Sequence, residues 1–362
     1  MESFGSEKVF SRLYVVATRE CNLTCKHCYL EAGPGKAFDN EITPQEIASI
    51  IDDVAADGQL TEVSITGGEP LARKDIKDIL TVVLKRGILL NLETNGTLIT
   101  PEIAEFLSHY TNSSVGVSID GIEDVHDAQR GRPGSFKRAV RGLTLLQEYE
   151  VEHGISTYIT HENLPQLEEI IKLGIDTGCV IFRILAQTVP LGRSTEKPTD
   201  VELVENTFKE YFRLKLKYMD ELKIITDLPL ALMPPDHIDD IEEYVTCPWW
   251  RLMGVSPQGD VSLCTALSLH PDMRTGNIRT NSLDEIKVHP IFQTLVQSNR
   301  TNLKGVCGNC HAARICGGFC RAMAFAEFGD LLAPYPMCQA FYRVGKFPEY
   351  ALVEPEKDCT YP

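Results

Sequence analysis

Along its first half the chain alternates short β-branched runs with amphipathic helical segments, and a sequence patterned this way has few ways to fold. Leu13 to Ala17, Val63 to Thr66, Ile88 to Thr94, Val115 to Ile119, Ile155 to Thr160 and Val180 to Leu185 read as strands, which makes about six βα units. Between the first two, Thr43-Pro44-Gln45-Glu46 offers a helix N-cap, a proline at the first helical position and a capping-box glutamate. Ile47, Ile50, Ile51 and Val54 then recur on one helical face. Repeated βα units give a parallel sheet, so the expected class is α/β. Six units suit a partial, open (β/α)6 TIM-like barrel, whose loops converge at the carboxyl ends of the strands; a doubly wound sheet gives the same alternation.

Twelve cysteines demand a chemical reason. No apolar run approaches the ~20 residues of a membrane helix, and Met1 to Phe10 is polar, without a signal-peptide core. The expectation is a cytoplasmic protein, in which metal ligation explains cysteines better than disulfides do. A net charge of −16 opposes nucleic acid and anionic membranes, so neither is an expected partner. At 43% hydrophobic and 24% charged, the composition is that of a folded globular chain and not of a disordered one.

Cys21-Asn22-Leu23-Thr24-Cys25-Lys26-His27-Cys28 has the spacing C-x3-C-x2-C directly after the first strand. A 4Fe-4S cluster is usually held by four thiolates, so three in one loop leave an iron open. That iron can take the amino and carboxylate groups of a sulfonium cofactor. A zinc knuckle would need a fourth ligand, and His27 stands too close to Cys28 to act independently. With Gly67-Gly68-Glu69-Pro70 about forty residues further on, the chain resembles the radical S-adenosylmethionine superfamily. The resemblance implies that Cys21, Cys25 and Cys28 hold the cluster. It implies that Gly67, Gly68 and Glu69 bind the methionyl amino group by close backbone approach and a carboxylate. Asn95 and Ser118, at the ends of the third and fourth strands, would line the cofactor ribose and carboxylate, with ordinary loop capping as the other reading; Asp120 would meet cofactor or substrate. Arg183 and Arg193 read first as salt-bridged surface residues, with contact to an anionic group as the alternative. The implied reaction is reductive cleavage of S-adenosylmethionine to methionine and a 5'-deoxyadenosyl radical, which takes a hydrogen atom from substrate. It needs a low-potential electron donor such as ferredoxin or flavodoxin, and it assigns no classical nucleophile.

Further along come Cys247, Gly259-x4-Cys264, Cys307-x2-Cys310-x5-Cys316-x3-Cys320 and Cys338. These seven resemble the SPASM domain, a small C-terminal extension that binds auxiliary iron-sulfur clusters. The resemblance implies two more 4Fe-4S clusters, three in all: a nearer one on Cys247, Cys264 and Cys320, and a farther one on Cys307, Cys310, Cys316 and Cys338. The nearer set has three members, so its fourth position is open or closed by another group, for which the acidic stretch Asp236 to Glu243 is a candidate. Stapling of a small domain is the alternative role for these cysteines. Cys179 and Cys359 read as plain thiols. The expected division is a barrel over 1–195, a helical connector over 196–246 containing an amphipathic helix from Thr199 to Leu222, and a SPASM domain with tail over 247–362.

The substrate is narrowed by departures and by local likeness. Sulfatase maturases carry an aspartate after the Gly-x4-Cys cysteine, and this chain has Thr265. Cys21 lies so near Met1 that no leader-gripping winged domain is expected ahead of it, and a ribosomal peptide would need a separate delivery protein. Val117 to Gly121, His126 to Phe136 and Gly317 to Leu332 resemble the subgroup of quinone-cofactor peptide maturases, alternative-haem and haem d1 synthases, and maturases of tungsten oxidoreductases, without choosing between them. A maturase that oxidises a peptide, protein or small cofactor precursor is the leading expectation, with tetrapyrrole modification as the alternative. A non-catalytic iron-sulfur carrier or scaffold is the alternative of another class, opposed by the intact GGEP and three-cysteine loop.

Overall fold

The computed structural model describes residues 10–57, 60–186, 189–194, 200–234, 247, 249–298 and 302–361. The strands β1 (Arg12–Val16), β2 (Glu62–Thr66), β3 (Leu89–Thr94), β4 (Ser113–Ser118), β5 (His153–Tyr158) and β6 (Ile181–Leu185) pair in sequence order, every pair parallel. The intervening helices are α1 (Pro44–Ala56), α2 (Ile76–Leu84), α3 (Pro101–Ser108), α4 (Asp124–Arg130), α5 (Ser135–Glu148) and α6 (Leu167–Asp176). Helix α1 begins on the capping box, with Thr43 and Glu46 satisfying each other's backbone N–H groups, and buries Ile47, Ile50, Ile51 and Val54.

The strands alternate in a way that makes the barrel hollow. Leu13, Val15, Val63, Ile65, Leu90 and Leu92 are buried in the apolar core shared with the helices. Their neighbours Arg12, Tyr14, Glu62, Ser64, Asn91 and Glu93 line the inner cavity. Because successive side chains point to opposite faces, one polar residue in two is enough to keep the lumen open to water.

Two features depart from the expected layout. Helix α7 (Val201–Tyr218), capped by Asp200, leads into β7 (Lys223–Thr226), a seventh parallel strand on β6. The connector segment therefore adds an edge to the barrel sheet as well as a helix. On the opposite edge β8 (Leu252–Val255) pairs parallel with β1, followed by antiparallel β9 (Asp260–Ser262) and β10 (Gly276–Asn277). One ten-stranded sheet results, in the order β10-β9-β8-β1-β2-β3-β4-β5-β6-β7. A first strand with an open edge has unpaired N–H and C=O groups, and β8 satisfies them. Gly254 on β8 passes so close to Cys264 that a Cβ there would lie 2.4 Å from the Cys264 carbonyl carbon. Among the described residues no helix is long and apolar enough to cross a membrane.

Candidate active site

After β1 the chain passes through Thr18 and Glu20 to Cys21, and the loop after β2 is pressed against it. A Cβ on Gly67 would lie 2.6 Å from the Thr18 carbonyl oxygen and one on Gly68 2.3 Å from that of Glu20. The N–H groups of Gly68 and Glu69 donate to those same oxygens, both at 2.8 Å. The glycine pair thus docks one motif against the other. Burial pushes the Cys21 thiol up to about 12, and the charges of Glu69, Cys25 and Cys28 push it the same way. Cys25 is likewise raised by burial, Asp120 and Cys28, against Arg130. The three thiols therefore share one locus. Among the described residues no three His, Cys, Asp or Glu side chains gather closely enough to hold a single metal ion. Thiols that sense one another without converging on a point leave room for a multi-atom group, which fits a cluster.

Two arginines hold this loop. Arg193 donates from Nε to the Cys25 oxygen (3.1 Å) and from Nη2 to that of Ala32 (2.7 Å), while its backbone N–H donates to Cys28 (3.0 Å). Arg130 donates from Nη1 to Cys25 Sγ (3.8 Å) and pairs through Nη2 with Asp120 Oδ2 (2.7 Å). Burial alone would push the Asp120 carboxyl up, but Arg130, His27 and the Tyr158 N–H outweigh it and hold the group below the usual carboxylate range. His27 lies 3.6 Å from Asp120 and 2.8 Å from the Gln129 amide. Burial lowers its pKa to about 4, so the ring is neutral at pH 7.

A cavity of about 170 Å³ is lined by the three cysteines together with Gly67, Gly68, Thr94, Asn95 and Ser118. The Asn95 amide donates to Asn22 Oδ1 (2.9 Å) and Cys21 Sγ (3.8 Å), and its oxygen accepts from Thr97. The Glu69 carboxylate, expected at the cofactor's amino group, is 0% exposed. It accepts from Leu71 N–H (3.1 Å), Thr94 hydroxyl (2.7 Å) and Asn95 N–H (2.7 Å), and so sets the shape of the loop after β3.

This cavity shares His27, Tyr29, Thr66, Glu93, Ser118 and Arg130 with a larger one of about 680 Å³ inside the barrel. Arg12 and Glu62 pair at 3.3 Å on one wall, and Arg183 reaches Glu93 at 4.0 Å on the other. Arg183 and Arg193 are thus inward-facing residues and not the surface arginines of the sequence reading. Tyr29 Oη lies 3.3 Å from Thr265 Oγ1, so the larger cavity extends to the residue after Cys264. Arg130, Glu93 and Tyr29 were not singled out from sequence, and His27 was weighed only as a zinc ligand. The signal available for Glu93 was a charged residue inside a strand, two positions after Asn91 on the same phase.

The C-terminal cysteines form two groups. Cys247 is raised by burial and then by Cys320 and Cys264, which places these three together. Cys307, Cys310, Cys316 and Cys338 line one apolar cavity with Phe319, Tyr335 and Phe347. A Cys338–Cys307 hydrogen bond lowers the Cys307 thiol and raises that of Cys338. Burial raises the Cys320 thiol, and the charge of Asp227, just after β7, adds a smaller push the same way. The stretch 236–243 lies outside the described residues.

The model of the radical SAM superfamily matches residues 15–174, and that of the SPASM iron-sulfur cluster-binding domain matches residues 247–311. An AdoMet-dependent heme synthase of Methanosarcina barkeri is 31% identical over 342 residues, 91% of this chain and 95% of that protein. The mycofactocin maturase MftC of Mycolicibacterium smegmatis is 28% identical over 89% of this chain and 80% of its own length. Among solved structures, SuiB of Streptococcus suis bound to S-adenosylmethionine superposes with a TM-score of 0.72 at 18% identity, covering 91% of this chain and 76% of that one. Native anSMEcpe with bound AdoMet gives 0.69 at 20%, covering 93% and 96%. These two likenesses concern the fold.

Proposed function

The chain belongs to the radical SAM superfamily and carries its SPASM extension, and on that premise we propose that it oxidises a carbon centre of a peptide or cofactor precursor seated in the cavity of about 680 Å³. It is an enzyme that uses S-adenosylmethionine and iron-sulfur clusters. The observation that carries the proposal is that six residues line both cavities, so a substrate carbon and the cofactor meet across one shared wall. When bound, the cofactor and the cluster on Cys21, Cys25 and Cys28 supply hydrogen-atom abstraction by a nucleoside-derived radical. The protein's part is placement. Gly67 and Gly68 let backbone approach the cofactor, Asn95 and Ser118 face it, and Glu69 fixes the loop that presents Asn95. Arg130 and Arg193 hold the cysteine loop, and Arg130 keeps Asp120 ionised beside it.

Three 4Fe-4S clusters are assigned, with Cys247, Cys264 and Cys320 on the nearer auxiliary one and Cys307, Cys310, Cys316 and Cys338 on the farther. The fourth position of the nearer one is open or closed by a group other than these cysteines. The reductant is a low-potential carrier such as ferredoxin or flavodoxin. A second reading, modification of a carboxylate-bearing tetrapyrrole, is favoured by Arg12 and Arg183, two guanidinium groups on the wall of the larger cavity. It is favoured too by the heme synthase relative, which aligns over nearly the whole chain.

The test is anaerobic incubation of dithionite-reduced protein with S-adenosylmethionine. Formation of 5'-deoxyadenosine and methionine is expected, and the Cys21→Ala, Cys25→Ala, Cys28→Ala triple variant should form neither while losing about four of about twelve irons. Turnover by the triple variant would remove the central claim. Adding a propionate-bearing iron porphyrin or a panel of short peptides, and following substrate mass, separates the two substrate readings.

A further inference from the structure

The C-terminal region buries a cation that forms no ion pair with a carboxylate among the described residues. Arg321 follows Cys320 and begins the helix Arg321–Phe328, yet its side chain turns inward and is 1% exposed. Nη1 donates to the backbone oxygens of Leu331 (3.0 Å) and Ala333 (2.7 Å), and Nη2 to that of Gly318. Gly318 makes the room, since a Cβ there would stand 2.6 Å from Nη2. Among the described residues no carboxylate forms an ion pair with this guanidinium, and its Nε–H meets no acceptor. Carbonyl oxygens satisfy N–H groups but carry only partial charge, so a guanidinium buried this way is strongly unfavourable unless a full negative charge stands nearby.

Arg321 follows Cys320 of one cysteine set directly, and Gly318, to whose oxygen it donates, lines the cavity of Cys307, Cys310, Cys316 and Cys338 of the other. As cluster ligands these cysteines are thiolates on a polyanionic core, and that is the missing counter-charge.

We propose that Arg321 is the shared charge-compensating residue of both auxiliary iron-sulfur sites, its Nε–H donating to a cluster sulfur and its fixed charge raising both reduction potentials together. The proposal rests on the reading of the two cysteine sets as cluster ligands. Iron-sulfur potentials follow net charge and hydrogen bonds to sulfur, and a permanent cation favours the more negative, reduced state. A single guanidinium between two sites couples their potentials, so both become better acceptors for an electron leaving the substrate.

The experiment is a potentiometric titration, read by electron paramagnetic resonance, of the anaerobically reconstituted full-length protein and its Arg321→Gln and Arg321→Lys variants. In Arg321→Gln both auxiliary couples should move negative by at least a tenfold change in the oxidised-to-reduced ratio, about 59 mV for a one-electron couple, while the couple of the Cys21, Cys25, Cys28 cluster stays in place. Arg321→Lys, which keeps the charge, should move less. Unmoved auxiliary couples in an iron-replete Arg321→Gln protein would overturn the proposal, as would an equal shift of all three. Should Arg321→Gln lose auxiliary iron, the wild-type protein labelled with 15N-arginine decides the matter: a nitrogen hyperfine coupling on the reduced auxiliary signals supports the proposal and its absence overturns it. A wild-type iron content near four, and not near twelve, would instead overturn the assignment of the sites themselves.

Discussion

Arg130 joins a cysteine sulfur to a carboxylate that burial alone would neutralise. Removing one member of a buried ion pair leaves the other charge uncompensated, a loss of roughly 3–5 kcal/mol. Arg130→Met should therefore lower the thermal midpoint markedly and weaken retention of the adjacent iron, whereas Arg130→Lys should fall between. Iron per chain and a melting curve, both taken anaerobically, check this; a normal midpoint in Arg130→Met would contradict it. Glu69 works at one remove. Its two oxygens accept from Leu71, Thr94 and Asn95, and in Glu69→Gln one end of the amide meets these donors with donors of its own. The loop after β3 should relax, and affinity for S-adenosylmethionine should fall about tenfold, ~1.4 kcal/mol, with little change in iron content. Equilibrium binding of the cofactor to the variant measures it.

At the scale of elements, helix α1 is tied at its N-terminus to the C-terminal part of the chain. Arg279 donates from Nε to Glu46 Oε1 (2.6 Å) and from Nη2 to Asn40 (3.0 Å), while Glu46 also closes the capping box on Thr43. The Arg279 hydrogen bond, with the donors on Thr43, draws the Glu46 carboxyl down to about 2. A carboxyl depressed in the folded state contributes stability that is fully present above its unfolded value, near 4.3, and is lost only as pH falls towards the folded one. Glu46→Gln should cost about 1 kcal/mol, the worth of a cap. The gap in thermal midpoint between wild type and variant should be flat from pH 8 to pH 5. A gap that changed across that range would show that another group governs it.

For the whole molecule the question is what the farther cysteine group contributes. Cys307→Ala or Cys316→Ala should lower iron from about twelve to about eight per chain. Uncoupled formation of 5'-deoxyadenosine should persist, because these residues line a cavity separate from that of Cys21, Cys25 and Cys28, while product formation is suppressed. A single apolar core runs from Phe10 and the barrel strands through Phe292 to Leu352, so loss of packing in the C-terminal part would also be felt by the barrel. Loss of a cooperative thermal transition in the variant would assign the group a structural role. A folded variant with normal product yield would leave it without an essential one.

The alternation of strands and helices and the three-cysteine loop were legible in the sequence, because both are local: strand period, helix caps and C-x3-C-x2-C spacing are written within a few residues of each other. The sequence located the loops after β2, β3 and β4 as lining one site for the same reason. Tertiary structure decided what no local pattern encodes. The edge of β1 is filled by β8, more than two hundred residues away, and β7 extends the opposite edge, since strand pairing depends on which backbone groups remain unpaired after folding. The inward turn of Arg183 and Arg193, each an ordinary surface residue by composition, follows from acceptors contributed by distant segments. The polar lumen arose in the same way: alternate residues of separate strands, unremarkable singly, face one another only once the sheet has curved.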